Sequence, residues 1–489
     1  MPVESTHNIL TLVLGSFAIF WIGNVIWNIF FHALRKYPGP LIGRATVLYY
    51  HVRYLLGHLP NDFHTLHSRH GPVVRVAPNQ LSFISSRAWG DIYEWRREGR
   101  SAPEMAKHRM FQSLGPNTPA TIFTADLRRH DQLRHKLAPC LSEAAIRLYE
   151  PNLQEYTSLL IQRLAANSQN GTQAINRNSA YDSWVKAVSF CAKEAAILHV
   201  SFALGLRRII HTIAGKALLA RLQEHENSTQ QKLDVRLKTK VDPPDMVEAL
   251  LTVADPPLSK SEMLQNTSLL IIAASDTTSS HLTGVFYHLV QNPEALRKAT
   301  QEVRSYFCHG KDITVASTAK LTYLKACLDE ALRLFPPVPM GVPRVVPKEG
   351  AMIAGHPVPG SAPVLREITQ TIVSVPHWAA YHSEINFFEP FEFRPERFLG
   401  DVRYSSDDLC ALQPFSFGNR NCIGRAMSNR GSCSLVNAQS RVVMAKILYT
   451  FNLQTAPEND GWLDRVKSYI LPDKPSLYVY FQPVPDFDE

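Results

Sequence analysis

Residues 415–424 read F-S-F-G-N-R-N-C-I-G, and the reading of this run decides the fold. Cys422 lies between Gly418 and Gly424, with Arg420 two residues before it. Taken singly, a cysteine is most often a buried, inert residue in an ordinary turn. Here an aromatic, two glycines, a base and the cysteine hold fixed offsets that an ordinary turn does not require. A zinc site would need further thiolate or imidazole ligands close by, and no C-x-x-C or H-x-x-x-H pattern flanks the run.

The spacing suits the presentation of one thiolate to a haem iron. A thiolate axial ligand pushes electron density onto the iron and favours O–O cleavage. To stay ionised the sulfur needs positive potential, which the free N–H groups and dipole of a helix start supply. The residues after Cys422 suit such a start, and Gly424 lets the backbone approach the haem face. Gly418 can take a backbone geometry closed to other residues. Phe415 would cover the sulfur side and exclude water, and Arg420 would pair with a haem propionate.

The chain has 489 residues, 45% of them hydrophobic, enough for one large domain with a sizeable core. Its net charge of +8 suits an acidic partner or an anionic membrane surface. No basic block with interleaved aromatics is present, which argues against nucleic acid. Seven scattered cysteines suggest no disulfide framework and fit a reducing compartment. Sequons occur at Asn170, Asn227 and Asn266; on a cytosolic domain they would stay unused, and Asn266 falls in a predicted buried helix.

Residues 9–31 carry no charge and are long enough to span a bilayer. Glu4 precedes the run while Arg35 and Lys36 follow it, which leaves the body of the protein on the cytosolic side. A cleaved signal peptide is the alternative, but the run is long for one and no basic segment precedes it. Residues 1–36 are therefore expected to be an anchor, with the transmembrane part at about 9–31, and residues 37–489 one domain.

Alternating stretches at 73–77 and 81–84 read as strands. Most of 125–340 shows helical periodicity, 343–385 turns strand-rich and proline-rich, and 477–481 is strand-like. The longest apolar helix candidate is 261–290. It carries Asp276 and Thr277, and the Thr277 hydroxyl can bond back to the carbonyl of Ala273 and open the helix locally. An Asp-Thr pair on a solvated helix face is the bland alternative. Glu330 and Arg333 stand three apart on one helical face, a spacing that alone describes a routine surface pair.

Four segments in this order, A-A-S-D-T-T (273–278), E-A-L-R (330–333), F-R-P-E-R-F (393–398) and the cysteine run, resemble the cytochrome P450 monooxygenases. Phrases such as Y-P-G-P-L-I-G (37–43) and V-P-H-W-A-A-Y-H-S (375–383) resemble fungal members that tailor secondary metabolites. The resemblance implies a mainly α fold with a small β region behind one N-terminal transmembrane helix, and haem b with Cys422 as its axial ligand. It implies that 261–290 crosses the distal haem face, with Thr277 and Asp276 relaying protons. It joins Glu330, Arg333 and Arg397 in a structural ion network. It adds Arg344, Arg134 and His130 as propionate ligands, His130 standing where the family has Trp; a basic helical face is the alternative. The family usually has Gly where this chain has Ala274, so one methyl narrows the oxygen pocket.

Implied partners are NADPH-cytochrome P450 reductase on a basic proximal face, cytochrome b5 as a further electron donor, the endoplasmic reticulum membrane with the catalytic domain cytosolic, and an apolar small-molecule substrate. The reaction implied is hydroxylation or epoxidation of a polyketide, terpenoid or alkaloid precursor. Pocket-lining expectations fall on Met110, Phe111, Val338 and Met340. Two rivals stand beside this reading: an isomerase or dehydratase of the same fold, and a catalytically dead or mis-spliced remnant.

Three segments depart from the family pattern. Residues 429–436 interrupt the helix expected after Cys422. Residues 362–370 lengthen a short strand connection. Residues 165–184 are short and polar where the family has another long apolar helix. Misplaced splice boundaries or a decaying gene would produce such departures.

Overall fold

The computed structural model describes residues 2–94, 96–97, 100–101, 104–108, 111, 119–168, 193–194, 196–201, 203–206, 227, 229–239, 247–248, 251, 258–360, 370–425 and 435–485. The departures at 362–370 and 429–436 lie almost wholly outside these residues, as does 165–184 beyond its first four. Met110 and the sequon at Asn170 are outside them too.

Helix α1 (Pro2–Ile26) continues as a π-helical turn over Trp27–Phe31. Its stretch Leu14–Phe31 is long and apolar enough to cross a membrane, and none of it is buried. The Asn28 side chain then donates to the Ala45 carbonyl at 2.9 Å, tying the end of this apolar stretch to the first short helix beyond it.

A four-stranded sheet follows, in the order β1 (Val73–Ala77), β2 (Gln80–Phe83), β4 (Ile372–Ser374), β3 (Arg344–Val345). β1 and β2 form an antiparallel hairpin, and β2 pairs in parallel with β4, so the C-terminal half of the chain returns beside the N-terminal half. Apolar β1 and β2 are buried throughout. They form one core with Tyr54, Phe63, Trp89 and Tyr381.

The second core is helical. Helix α5 (Lys260–Gln291) runs 32 residues and crosses α7 (Thr322–Leu334) and α8 (Leu435–Thr450). It starts at a reciprocal cap: Ser259 Oγ accepts from the Glu262 N–H at 3.2 Å, and the Glu262 carboxylate accepts from the Ser259 N–H at 3.1 Å. It ends at Asn292, where Pro293 opens α6 (Pro293–Tyr306). Val285, Leu289, Leu324, Leu328, Ile447 and Leu448 interlock at the crossings. At Gly284 an added Cβ would stand 2.8 Å from Phe335 Cβ, so α5 and the end of α7 approach as closely as a glycine allows. As expected of a helix-borne sequon in a core, Asn266 is fully buried; its amide oxygen accepts from the Ile122 N–H at 2.9 Å.

A smaller cluster joins α5 to the cysteine run. Leu133 and Leu137 of α3 (Leu127–Leu137), Met263 and Leu264 of α5, and Ile423 pack together. The element order thus puts the residue after Cys422 against the first half of α5.

Candidate active site

The loop around Cys422 is held by its own backbone. The Cys422 N–H donates to the Phe415 carbonyl at 2.8 Å, and the Asn421 N–H to the Gly418 carbonyl at 3.1 Å. Ser416 and Gly418 both have positive φ, 61° and 72°. A Cβ at Gly418 would lie 2.1 Å from the Tyr93 carbonyl oxygen, so the loop rests on that backbone and admits glycine alone. The expectation of a helix starting at Cys422 is corrected for the described residues. Residues 423–425 form a single turn, and the next described helix, α8, begins at Leu435. Gly424 and the Ser- and Gly-containing run that follows are weak helix formers. The electrostatic role of a helix start falls to the backbone N–H groups of Gly424 and Arg425, which both favour the ionised sulfur.

Cys422 is solvent-accessible although many protein atoms lie around it. Burial pushes its thiol up, and the two N–H groups and the Arg134 guanidinium only partly oppose that. A coordinating metal ion deprotonates such a thiol outright. Phe415 contributes its carbonyl to the loop and is itself half-buried.

Basic side chains gather beside the loop. Arg134, on α3, donates from both terminal nitrogens to Asn421, to the carbonyl at 2.8 Å and to Oδ1 at 2.6 Å. Arg420 pairs with the Glu104 carboxylate and donates to the Ala125 carbonyl at 2.8 Å. Arg344, at the start of β3, is buried and reaches the same Glu104 carboxylate at 3.6 Å. The Arg344 Nε is buried without a partner. Lys107 lies against this group, donating to the Phe123 carbonyl at 2.5 Å. Burial, then the charges of Arg344 and Arg420, push its ammonium down to about 6. His130 is buried, and burial followed by the Arg420 charge pushes it down to about 4, so it is neutral at pH 7.

This donor set fits the carboxylate edge of a haem. Arg420 and Arg344 converge on one carboxylate, the Arg344 Nε is left over, and mutual repulsion among the cations calls for further negative charge. Lys107 and Glu104 were not legible in the sequence: they sit in an irregular stretch, and no spacing rule links them to residues more than 200 positions away.

On α5 the Thr277 hydroxyl donates to the Ala273 carbonyl at 2.6 Å, the back-bond its sequence position allows. Ala273, Ala274 and Ser275 are exposed although they lie mid-helix, while Asp276 and Thr278 are buried. Asp276 is therefore not on a solvated face; Lys474 Nζ stands 3.6 Å from its carboxylate.

Glu330 lies between two arginines. Arg333 grips its carboxylate with two bonds of 2.8 Å, and Arg397 Nε donates to it at 3.0 Å. All three side chains are fully buried. Asp407, unforeseen from the sequence, takes the other end of Arg397. Phe111 and Met340 line one small pocket with Tyr50, Phe63, Pro343 and Ile470; neither Cys422 nor Thr277 borders it.

Comparison with known proteins agrees with this geometry. The family model described as Cytochrome P450 matches residues 202–479. The cytochrome P450 monooxygenase tpeC of Talaromyces stipitatus is 38% identical over 97% of this chain and 94% of its own length. Averantin hydroxylase of Dothistroma septosporum is 33% identical over 99% and 93%. Trichothecene C-15 hydroxylase of Fusarium sporotrichioides is 33% identical over 97% and 98%. With relatives matched along nearly its whole length, the chain belongs to the cytochrome P450 family and is one of its monooxygenases.

Proposed function

We propose that this monooxygenase hydroxylates or epoxidises an apolar small molecule in fungal secondary metabolism, using Cys422 as the axial ligand of haem b. The observation that carries the reading is the Cys422 loop: one accessible sulfur, Arg134 bonded to the neighbouring Asn421, and Arg420 sharing the Glu104 carboxylate with Arg344. Haem, when bound, supplies the chemistry that splits O2 and delivers one oxygen atom to a C–H bond or alkene.

The chain's own residues do the rest. Arg420 and Arg344 bind the propionates, with His130 as a neutral hydrogen-bonding partner beside them. Arg134 fixes Asn421 and so the backbone next to the ligand. Phe415 and Gly424 shape the proximal wall and keep water from the sulfur. Thr277 spends its hydroxyl proton on the Ala273 carbonyl, which leaves its oxygen lone pairs free to accept from a water. Asp276 feeds protons to that hydroxyl. Glu330, Arg333 and Arg397 hold the proximal side in register.

Electrons come from NADPH through cytochrome P450 reductase, with cytochrome b5 as a second donor. They enter on the side of α3, where Arg128 and Arg425 are exposed. Residues 1–36 anchor the chain in the endoplasmic reticulum membrane, with 37–489 as the cytosolic catalytic domain. The named substrates of the two hydroxylases, averantin and a trichothecene, point to a rigid, largely apolar polycycle.

The test is turnover of the full chain with reductase, NADPH and a panel of aromatic polyketides and terpenoids under labelled O2. Product that carries one labelled oxygen is the expected result. Isomerised or dehydrated product without label would replace this reading with its same-fold rival.

A further inference from the structure

Asp276 does not stand alone on α5. Lys474 Nζ lies 3.6 Å from Asp276 Oδ1, and each side chain is 10% exposed. The same ammonium donates to Ser280 Oγ at 2.5 Å. Residues 276 and 280 are one turn apart on the same helical face, so the two contacts fix the ammonium both along and around the helix. Lys474 follows the hairpin Lys467–Ser468/Pro472–Asp473, and Ile470 at the tip of that hairpin lines the pocket with Phe111 and Met340.

A purely structural role is a poor account of this lysine. The segment is already fastened on both sides. Trp462 donates to the Pro475 carbonyl at 3.2 Å, Asn459 to the Tyr478 carbonyl at 2.6 Å, and Val479–Pro483 pairs along Phe451–Thr455. Burying an ammonium and a carboxylate to add one more tie costs desolvation that an apolar contact avoids. The pair instead places a cation against the one carboxylate that neighbours the Thr277 back-bond.

We propose that Lys474 is the positioning residue of the proton path, holding the Asp276 carboxylate oriented toward the turn that carries Thr277. This rests on the reading of Asp276 as the proton feeder. The lysine acts through Asp276.

The experiment needs no known substrate. Full-length protein with reductase oxidises NADPH in the presence of O2 alone: two electrons and two protons per O2 leave as H2O2, and four of each leave as water. The readouts are NADPH oxidation above the reductase background, H2O2 formed per NADPH, and the solvent isotope effect on the rate. Lys474→Met and Lys474→Gln are expected to keep haem content and the reduced-CO spectrum. They should slow oxidation about tenfold, less than the ~10²–10⁴-fold of a general acid lost outright because Asp276 itself remains, and change the isotope effect. Lys474→Arg should restore both. Wild-type rate and isotope effect in the neutral variants, with Asp276→Asn impaired, overturn the proposal and leave the proton-feeding reading standing. An Asp276→Asn variant that is itself unimpaired removes that reading. Loss of haem in both neutral variants makes Lys474 a structural tie and also overturns the proposal.

Discussion

The residues that matter most here are charges out of water. Arg344 is buried with its Nε unpartnered, and Arg420 shares the Glu104 carboxylate with it. A lost charge-assisted hydrogen bond costs about 1.5–3 kcal/mol, which is about 10–100-fold in affinity. Arg344→Ala and Arg420→Ala should each speed haem loss to a scavenging apoprotein by that order, while Arg128→Ala should not. The sequence marked Cys422, Arg420 and Thr277 because their neighbours in the chain carry the pattern. It did not mark Glu104, Lys107 or Lys474, since each meets its partner only through the tertiary fold, nor Asp407, which reaches Arg397 across an irregular loop. Local chemistry is readable from spacing; a charge whose counter-ion is 200 residues away is not.

At the scale of elements, helices α5, α7 and α8 hold the site through close crossings and neutral buried polar groups. Gly284→Ala would drive a methyl into Phe335; overpacking of this kind costs about 1–3 kcal/mol and should lower the thermal midpoint without changing the reduced-CO spectrum. His281 joins all three helices. It donates from Nε2 to the Leu328 carbonyl at 3.0 Å, and its Nδ1 accepts from the Ser440 hydroxyl at 3.2 Å. Burial pushes it, and also His377, down to about 4 from 6.5. Between these values the unfolded chain binds protons that the folded chain does not, so stability falls as pH drops from about 6.5 to 4 and is fully present above 6.5. Thermal melts across that range should show the fall, and His281→Asn should lessen it, His377 and other buried histidines keeping the remainder. Breaking the Glu330 network leaves a buried arginine unpaired at about 3–5 kcal/mol, so Glu330→Gln should yield little soluble holoprotein. The long helix was legible from the apolar L-L-I-I-A-A at its centre, and the β1–β2 hairpin from alternation.

For the whole molecule, the comparisons sharpen the question raised by the departures. The alignment to the Talaromyces relative has 499 positions, more than the 489 residues here, so that relative carries residues this chain lacks. The family model begins to match only at residue 202, beyond the polar stretch 165–184. Both facts fit misplaced splice boundaries. Transcripts of the gene should differ from this chain at 165–184, 362–370 and 429–436; reads containing all three as written would contradict that. Deleting 429–436 should raise haem occupancy of expressed protein severalfold. Removing residues 1–36 should release the protein from membranes and leave its spectrum unchanged.

The central claim is that Cys422 binds haem as a thiolate. Full-length protein, purified, reduced and exposed to CO, tests it directly. The account predicts the red-shifted Soret band of thiolate-ligated haem, lost in Cys422→Ser. A protein without haem, or one whose red-shifted band survives Cys422→Ser, would contradict it.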